Sequence, residues 1–365
     1  MSALKIAFVA SGKSIHTARW ANAMAERGHS VTVYSCAGDT PQNNTMFLEG
    51  VKIVELKYKA PLGYYLNARS LKKLIRNGNF DVVNVHYASG YGTLGRRAKL
   101  KNALLNIWGS DVYDFPYRSS FNMRTVKKNL AYYNRLASTS NCMARQAQRI
   151  VDREFEITPF GVDTSRFMPI DGKKQEGKFI FGTVKTLSPT YGICDSVNAF
   201  IKLYNRLISE DCAELADSLY YEIYGRGEQQ EEIQKLIDDS GMSERIKLCG
   251  FVENSKLPQI YNRFNAACYA SIKESFGVAV VEAMACGVPV CATDADGFAE
   301  VVEEGVSGLL SPKGDPSALA ENMYKLLTDG ALCKKMGEAG VERVKKLYEW
   351  NANVDKMESI YKRMI

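Results

Sequence analysis

Two carboxylates eight residues apart, Glu274 and Glu282, frame the stretch of this chain best suited to chemistry. Glu274 stands before Gly277 in Ser271-Ile272-Lys273-Glu274-Ser275-Phe276-Gly277, and Glu282 lies in the apolar run Val278–Ala285, which reads as a helix. At about 1.5 Å of rise per residue, two acids so placed can meet one elongated ligand at separate points. Between them the free amides of Gly277, Val278 and Ala279 form a helix N-terminus suited to a diphosphate. A carboxylate on either side of a phosphate cradle suits a nucleotide-sugar, one acid for sugar hydroxyls and the other for ribose hydroxyls. The apolar neighbours Val281, Ala283 and Ala285 argue against Glu282 merely capping or salt-bridging a solvated helix face.

Other spacings carry weaker chemistry. Gly12-Lys13-Ser14 follows a strand and resembles the end of a phosphate loop, but Ala7 occupies the place of the upstream glycine. The milder reading is an open glycine loop whose amides at Gly12 face a phosphate. Gly90-Tyr91-Gly92-Thr93-Leu94-Gly95 matches the dinucleotide fingerprint, with Asp111 sixteen residues past its last glycine. This match supports an alternative, an NAD-dependent oxidoreductase, although it follows a later strand and also fits a tight strand-to-helix turn. The three histidines, His16, His29 and His86, show no metal-ligand spacing, and the nine cysteines contain no Cys-x-x-Cys pair. No metal site and no cofactor are therefore expected, and the thiols are expected to be reduced and mostly buried in a cytosolic protein.

Positioning these residues requires a frame of short β-rich runs alternating with amphipathic helices, the pattern of an α/β protein with parallel sheets. Strands are expected at Lys5–Ala10, Val31–Ser35, Val51–Leu56, Val82–His86, Leu104–Trp108 and Ala137–Thr139, with a loop over Ser11–His16 and a helix over Thr17–Arg27. After the polar stretch Pro169–Lys178, which reads as a linker, the pattern restarts. Further strands are expected at Phe179–Val184, Tyr220–Tyr224, Ile246–Cys249, Ala266–Ala270, Val288–Cys291 and Gly308–Leu310. Helices are expected at Ile193–Leu207, Val278–Ala285, Pro316–Leu327 and Trp350–Met364. Two domains follow, residues 1–166 with the returning C-terminal helix 349–365, and residues 167–348. In open parallel sheets ligands sit beyond the carboxyl ends of the strands, so two such domains are expected to face a central cleft.

The 365 residues suffice for two domains, and the net charge of +6 is unevenly spread. Residues 1–160 hold 23 basic and 10 acidic residues, whereas the remainder holds 24 and 31. Leu66–Arg153 alone holds 16 against 4, in clusters such as Lys72-Lys73-Arg76, Arg96-Arg97-Lys99-Lys101 and Arg124-Lys127-Lys128. Asn67–Arg76 can form a basic amphipathic helix with Leu71, Leu74 and Ile75 on its apolar side. An anionic membrane surface is the partner this predicts; a solvated basic face is the plainer alternative, and no nucleic-acid motif accompanies the charge. No apolar run approaches the roughly 18–20 residues of a membrane span. Ile6–Ala10 is too short for a signal-peptide core, and the sequon Asn43-Asn44-Thr45 reads as a polar loop.

The order of these motifs resembles the retaining family 4 glycosyltransferases of GT-B fold. The resemblance rests on Pro159-Phe160-Gly161-Val162-Asp163 with Phe167, Tyr224-Gly225-Arg226-Gly227-Glu228, Gly250-Phe251-Val252, Glu274-Ser275-Phe276-Gly277 with Glu282-Ala283-Met284-Ala285, Gly287-Val288-Pro289-Val290 and Tyr348-Glu349-Trp350. In the first half it rests on the Gly12 loop, Gly28-His29-Ser30-Val31 and Trp108-Gly109-Ser110-Asp111. It implies transfer of a hexose-type sugar from a nucleotide-sugar, with UDP the commonest carrier, to a glycan hydroxyl with retention and without a metal. Glu274 would then hold the donor sugar and Glu282 the ribose. The backbone at Phe251 and Val252 would receive the base, and the segment Phe276–Ala279 the sugar and phosphate. The family usually sets an Arg and a Lys after the first strand of this domain. Here Lys185 supplies one charge, Tyr191 stands at the second cation's place, and Arg226 or Lys273 would compensate. Trp108 stands where many members carry a histidine, which leaves His16 and His86 as candidates at the reacting centre and Asp111 to orient the acceptor hydroxyl. In this fold the first domain normally holds the acceptor, so its basic surface leads to the expectation of a lipid-linked glycan, such as a polyprenyl-diphosphate glycan, reached at the cytoplasmic face of the plasma membrane. If Tyr191 and Trp108 mark lost chemistry, the chain is instead a non-catalytic sugar-nucleotide-binding relative.

Overall fold

Two parallel sheets organise the chain in a computed structural model that describes residues 3–41 and 46–365. The sequon at 43–45 lies outside the described residues. The chain divides into Met1–Phe160 with Asn351–Ile365, and Gly161–Trp350.

The first unit holds seven strands: β1 (Lys5–Val9), β2 (Ser30–Ala37), β3 (Lys52–Lys59), β4 (Val82–His86), β5 (Leu104–Ile107), β6 (Arg135–Ser138) and β7 (Glu156–Ile157). They run in the order β3-β2-β1-β4-β5-β6-β7, and every pairing is parallel. Strands such as Lys5-Ile6-Ala7-Phe8-Val9 are apolar on both faces because helices cover both sides. The order reverses between β1 and β4, so the loops leaving these two strands flank the crevice where such sheets take ligands.

The second unit repeats the plan with β8 (Phe179–Val184), β9 (Leu219–Tyr224), β10 (Ile246–Gly250), β11 (Ala266–Tyr269), β12 (Val290–Thr293) and β13 (Gly308–Ser311), ordered β10-β9-β8-β11-β12-β13. Its reversal falls between β8 and β11. The loops leaving those strands carry Lys185 and Glu274.

The C-terminal helix Trp350–Lys362 buries Val354, Met357, Ile360 and Tyr361, the face expected from spacing. It completes the first unit: the Tyr361 hydroxyl bonds the Asn84 amide, and Arg27 pairs with Asp355 and Glu358. His29 is structural, accepting from the Leu4 amide at 3.1 Å.

The structure departs from expectation at several points. Ser14 caps the first helix by accepting from the Thr17 amide, so the helix runs Ile15–Glu26 and takes in two residues expected to be loop. Pro169–Lys178 lies inside the second unit, where Asn262 clamps it by bonding the Ile170 amide and the Met168 carbonyl. The Gly90–Gly95 fingerprint is not a phosphate loop but the body of the helix Gly90–Arg97. A Cβ on Gly90 would sit 2.3 Å from the Tyr64 ring, and one on Gly95 2.3 Å from the Tyr133 hydroxyl. These glycines serve close packing between neighbouring elements. All nine cysteines are unpaired; Cys249 is exposed and Cys194, Cys212 and Cys333 are half-buried.

Candidate active site

In the second unit, the loop leaving β8 and the loop leaving β11 bring Lys185 onto Glu274. Lys185 Nζ donates to Glu274 Oε2 at 2.5 Å, and the two side chains are only 13% and 11% exposed. The same ammonium lies 4.4 Å from the Tyr191 ring centre and 5.9 Å from that of Phe298. Residues expected to act on separate parts of a ligand thus form one ion pair.

Glycine backbone holds these loops in place. The Lys185 amide donates to the Tyr224 carbonyl, and Leu187 donates to Arg226. Gly225, at φ +152°, lies so close to the Lys185 carbonyl that a Cβ would fall 1.8 Å from its oxygen; Gly227 approaches the Leu187 carbonyl to 2.1 Å by the same measure. On the Glu274 side, Gly297 donates to the Glu274 carbonyl, and a Cβ on it would meet the Phe276 amide nitrogen at 2.5 Å. The sequence reading missed Gly297 and Phe298. Their signal was position, since both lie just after a strand.

Gly277, at φ +100°, opens the helix Val278–Ala285. Phe276 is buried against Tyr348, so this residue offers only its backbone to a ligand. Val278 and Ala279 are half-exposed at the helix head, beside Glu274. Glu282 is buried, not on a solvated face, and accepts from the Tyr261 hydroxyl at 3.0 Å. The Arg226 guanidinium covers the Phe251 ring, 60% exposed, at 4.6 Å. Val252 is half-exposed beside it.

The first unit gathers an aromatic cluster. Trp108 lies 4.0 Å from the His86 ring centre, 5.4 Å from Phe160 and 5.8 Å from His16, and His16 stacks on Phe160 at 3.9 Å. Of the expected acceptor-side set, His86, Trp108 and Asp111 are 1%, 6% and 1% exposed. Asp111 accepts from the amides of Ala88, Trp108 and Gly109, which spends its carboxylate on holding the turns after β4 and β5. Burial nevertheless raises its pKa. In the Gly12 loop Gly12 is buried and Lys13 exposed, and the Lys13 and Ser14 amides donate to the carbonyls of Asp39 and Ser11.

Burial, then Arg19, pulls the His16 pKa from 6.5 to about 4. Burial, then His16, pulls His86 to about 3. Both are neutral imidazoles at pH 7, suited to hydrogen bonding rather than to carrying charge. Below pH 6.5 the unfolded chain takes up protons that the folded unit refuses, so stability falls as pH drops from 6.5 towards 4. Urea unfolding at about pH 7 and pH 5 checks this. The wild type is expected to lose more stability than His86→Gln, and equal losses contradict it.

The chain resembles known glycosyltransferases in sequence and fold. Residues 5–140 match the family model for glycosyl transferase 4-like proteins, and residues 165–343 that for glycosyl transferases group 1. Phosphatidyl-myo-inositol mannosyltransferase of Mycobacterium leprae is 24% identical, with 97% of this chain and 93% of the relative covered. N-acetyl-alpha-D-glucosaminyl L-malate synthase of Bacillus anthracis is 24% identical over 80% of this chain and 77% of its own. Anabaena HepE, solved with UDP, superposes at a TM-score of 0.83 and 17% identity, over 99% of this chain and 100% of that one. On these grounds the chain belongs to the group 1 glycosyltransferases of GT-B fold.

Proposed function

We propose that the chain moves a hexose-type sugar from a UDP-sugar to a hydroxyl of a lipid-linked glycan, with retention at the anomeric carbon. The observation that carries this reading is the Lys185–Glu274 pair beside the free head of the Val278–Ala285 helix. A bound donor would exchange that pair for its own groups: sugar hydroxyls on Glu274 and the diphosphate on Lys185 and the helix amides. Glu282 would take the ribose, and the segment at Phe251 and Val252 the base. The sugar C1–O bond breaks with its electron pair leaving on the diphosphate, and the acceptor oxygen bonds C1 from the same face. The acceptor proton passes to a diphosphate oxygen. Fixed positive charge at the leaving group does the main electrostatic work, and we assign that charge to the chain itself rather than to a metal. His16, half-buried at the head of its helix, is an acceptor-side candidate.

The HepE structures with UDP and with UDP-glucose support a UDP-linked donor. A thermal-shift panel tests it. UDP-sugars are expected to raise Tm, and NAD is not, because the Gly90–Gly95 glycines are packed inside a helix. Stabilisation by NAD alone would overturn the reading in favour of an oxidoreductase.

The acceptor side rests on the first unit's surface. No helix among the described residues is long and apolar enough to cross a membrane. The helix Ala68–Gly78 exposes Arg69, Lys72, Lys73 and Arg76, and just before it Leu62, Tyr65 and Leu66 are exposed. Cationic side chains next to exposed apolar ones suit an anionic bilayer, at about 1 kcal/mol per Lys or Arg. We place the protein peripherally on the inner face of the plasma membrane. It is expected to float with phosphatidylglycerol vesicles at low salt and to be released at high salt. Absence of flotation at low salt would contradict the membrane partner and leave the transferase reading intact.

A further inference from the structure

We infer that Tyr191 is a positioning residue: its aromatic face holds the Lys185 ammonium beside Glu274, where it serves the leaving diphosphate. The inference rests on the donor site proposed above. A lysine at the end of a strand has several rotatable bonds and no fixed place for its charge. Here three things remove that freedom. The Lys185 backbone is pinned by the Tyr224 carbonyl and by the close approach of Gly225. Its Nζ is held by Glu274 Oε2 at 2.5 Å. The Tyr191 ring lies 4.4 Å from the same nitrogen, within cation–π range.

Tyr191 is itself fixed. It ends the short turn Pro189–Tyr191, and Gly192 follows at φ +60°, where a Cβ would fall 2.1 Å from the Ala270 carbonyl oxygen. The Ile272 amide donates to the Thr190 carbonyl at 2.9 Å, which ties this turn to the segment that carries Glu274 two residues on. The ring also packs on the core of the unit. The backbones that carry Tyr191 and Glu274 are therefore tied to each other.

The two contacts on the ammonium differ in what they do when a ligand arrives. Glu274 neutralises the lysine and must release it to bind sugar hydroxyls. The ring attracts the cation without neutralising it, so it can keep holding the ammonium once Glu274 has turned to the sugar. A second cation in place of Tyr191 would repel Lys185, whereas an aromatic face at that position attracts it.

Calorimetric titration of UDP tests the inference without needing the sugar or the acceptor. Tyr191→Leu is expected to weaken UDP binding about tenfold, and Tyr191→Phe, which keeps the ring, to remain within about threefold of wild type. In a Lys185→Ala background, Tyr191→Leu is expected to cost less than about twofold more, because no ammonium is left to hold. A purely structural tyrosine would show the same loss in both backgrounds, and that result would overturn the inference. So would a Tyr191→Phe loss equal to that of Tyr191→Leu, or wild-type affinity in Tyr191→Leu. If wild-type protein binds no UDP, the donor-site reading fails and takes the inference with it; UDP binding with an indifferent Tyr191 sinks the inference alone.

Discussion

Lys185→Ala is expected to lower kcat by ~10²–10³-fold, with a much smaller change in donor KM, in an assay of UDP release. Charge on the diphosphate grows as the sugar–oxygen bond breaks, so a fixed cation there matters more in the transition state than in the ground state. Lys185 is 13% exposed, which lowers the screening that would blunt its effect in water. Glu274→Ala should fall by orders of magnitude as well, since it removes the sugar's anchor and leaves a largely enclosed ammonium unpaired. Glu274→Gln keeps hydrogen-bonding capacity without the charge and should lie between. Near wild-type turnover in Lys185→Ala, with the donor that stabilises the wild type, would overturn the assignment of this pair.

Gly225→Ala is the second large effect. The residue sits at φ +152°, a region L side chains rarely adopt, and its Cβ would fall 1.8 Å from the Lys185 carbonyl oxygen. Neither partner is a flexible side chain, so backbone must move: either the strand end that carries Lys185 or the loop that carries Arg226. A cost of about 3 kcal/mol is expected, and for a unit of this size a fall in Tm of roughly 10 °C. UDP affinity should drop with it, because the displaced carbonyl belongs to Lys185. Gly305→Ala is the control: it too has a positive φ, at +73°, but nothing lies within 4 Å of the added carbon, so it carries strain without collision. Thermal unfolding of the two variants separates these contributions. Equal Tm values would show that the close approach is not what requires glycine at 225.

The strands were legible because parallel strands buried on both faces are runs of apolar residues. Phe179–Val184 was read with its observed bounds, and the helix Val278–Ala285 likewise. The two-residue strand β7 is too short to carry a pattern, and the first helix starts earlier because its cap is Ser14. Glu274, Glu282 and Lys185 could be picked out one at a time from their places after strands or on a helix. Their pairing could not be, since Lys185 and Glu274 are 89 residues apart and only the neighbouring of β8 and β11 brings them together. Depth was also hidden. His86, Trp108 and Asp111 stand at the correct end of the first sheet, but position after a strand says nothing of whether a side chain reaches solvent. The Gly225 and Gly297 contacts are close approaches to a distant backbone, which no local pattern records.

The account turns on whether the Lys185–Glu274 locus takes the donor. Calorimetric titration of UDP into the wild type and into Lys185→Ala measures this most directly. Saturable binding by the wild type, weakened about tenfold or more in Lys185→Ala with unchanged far-ultraviolet dichroism, is the predicted result. Equal UDP affinity in the two proteins would contradict it.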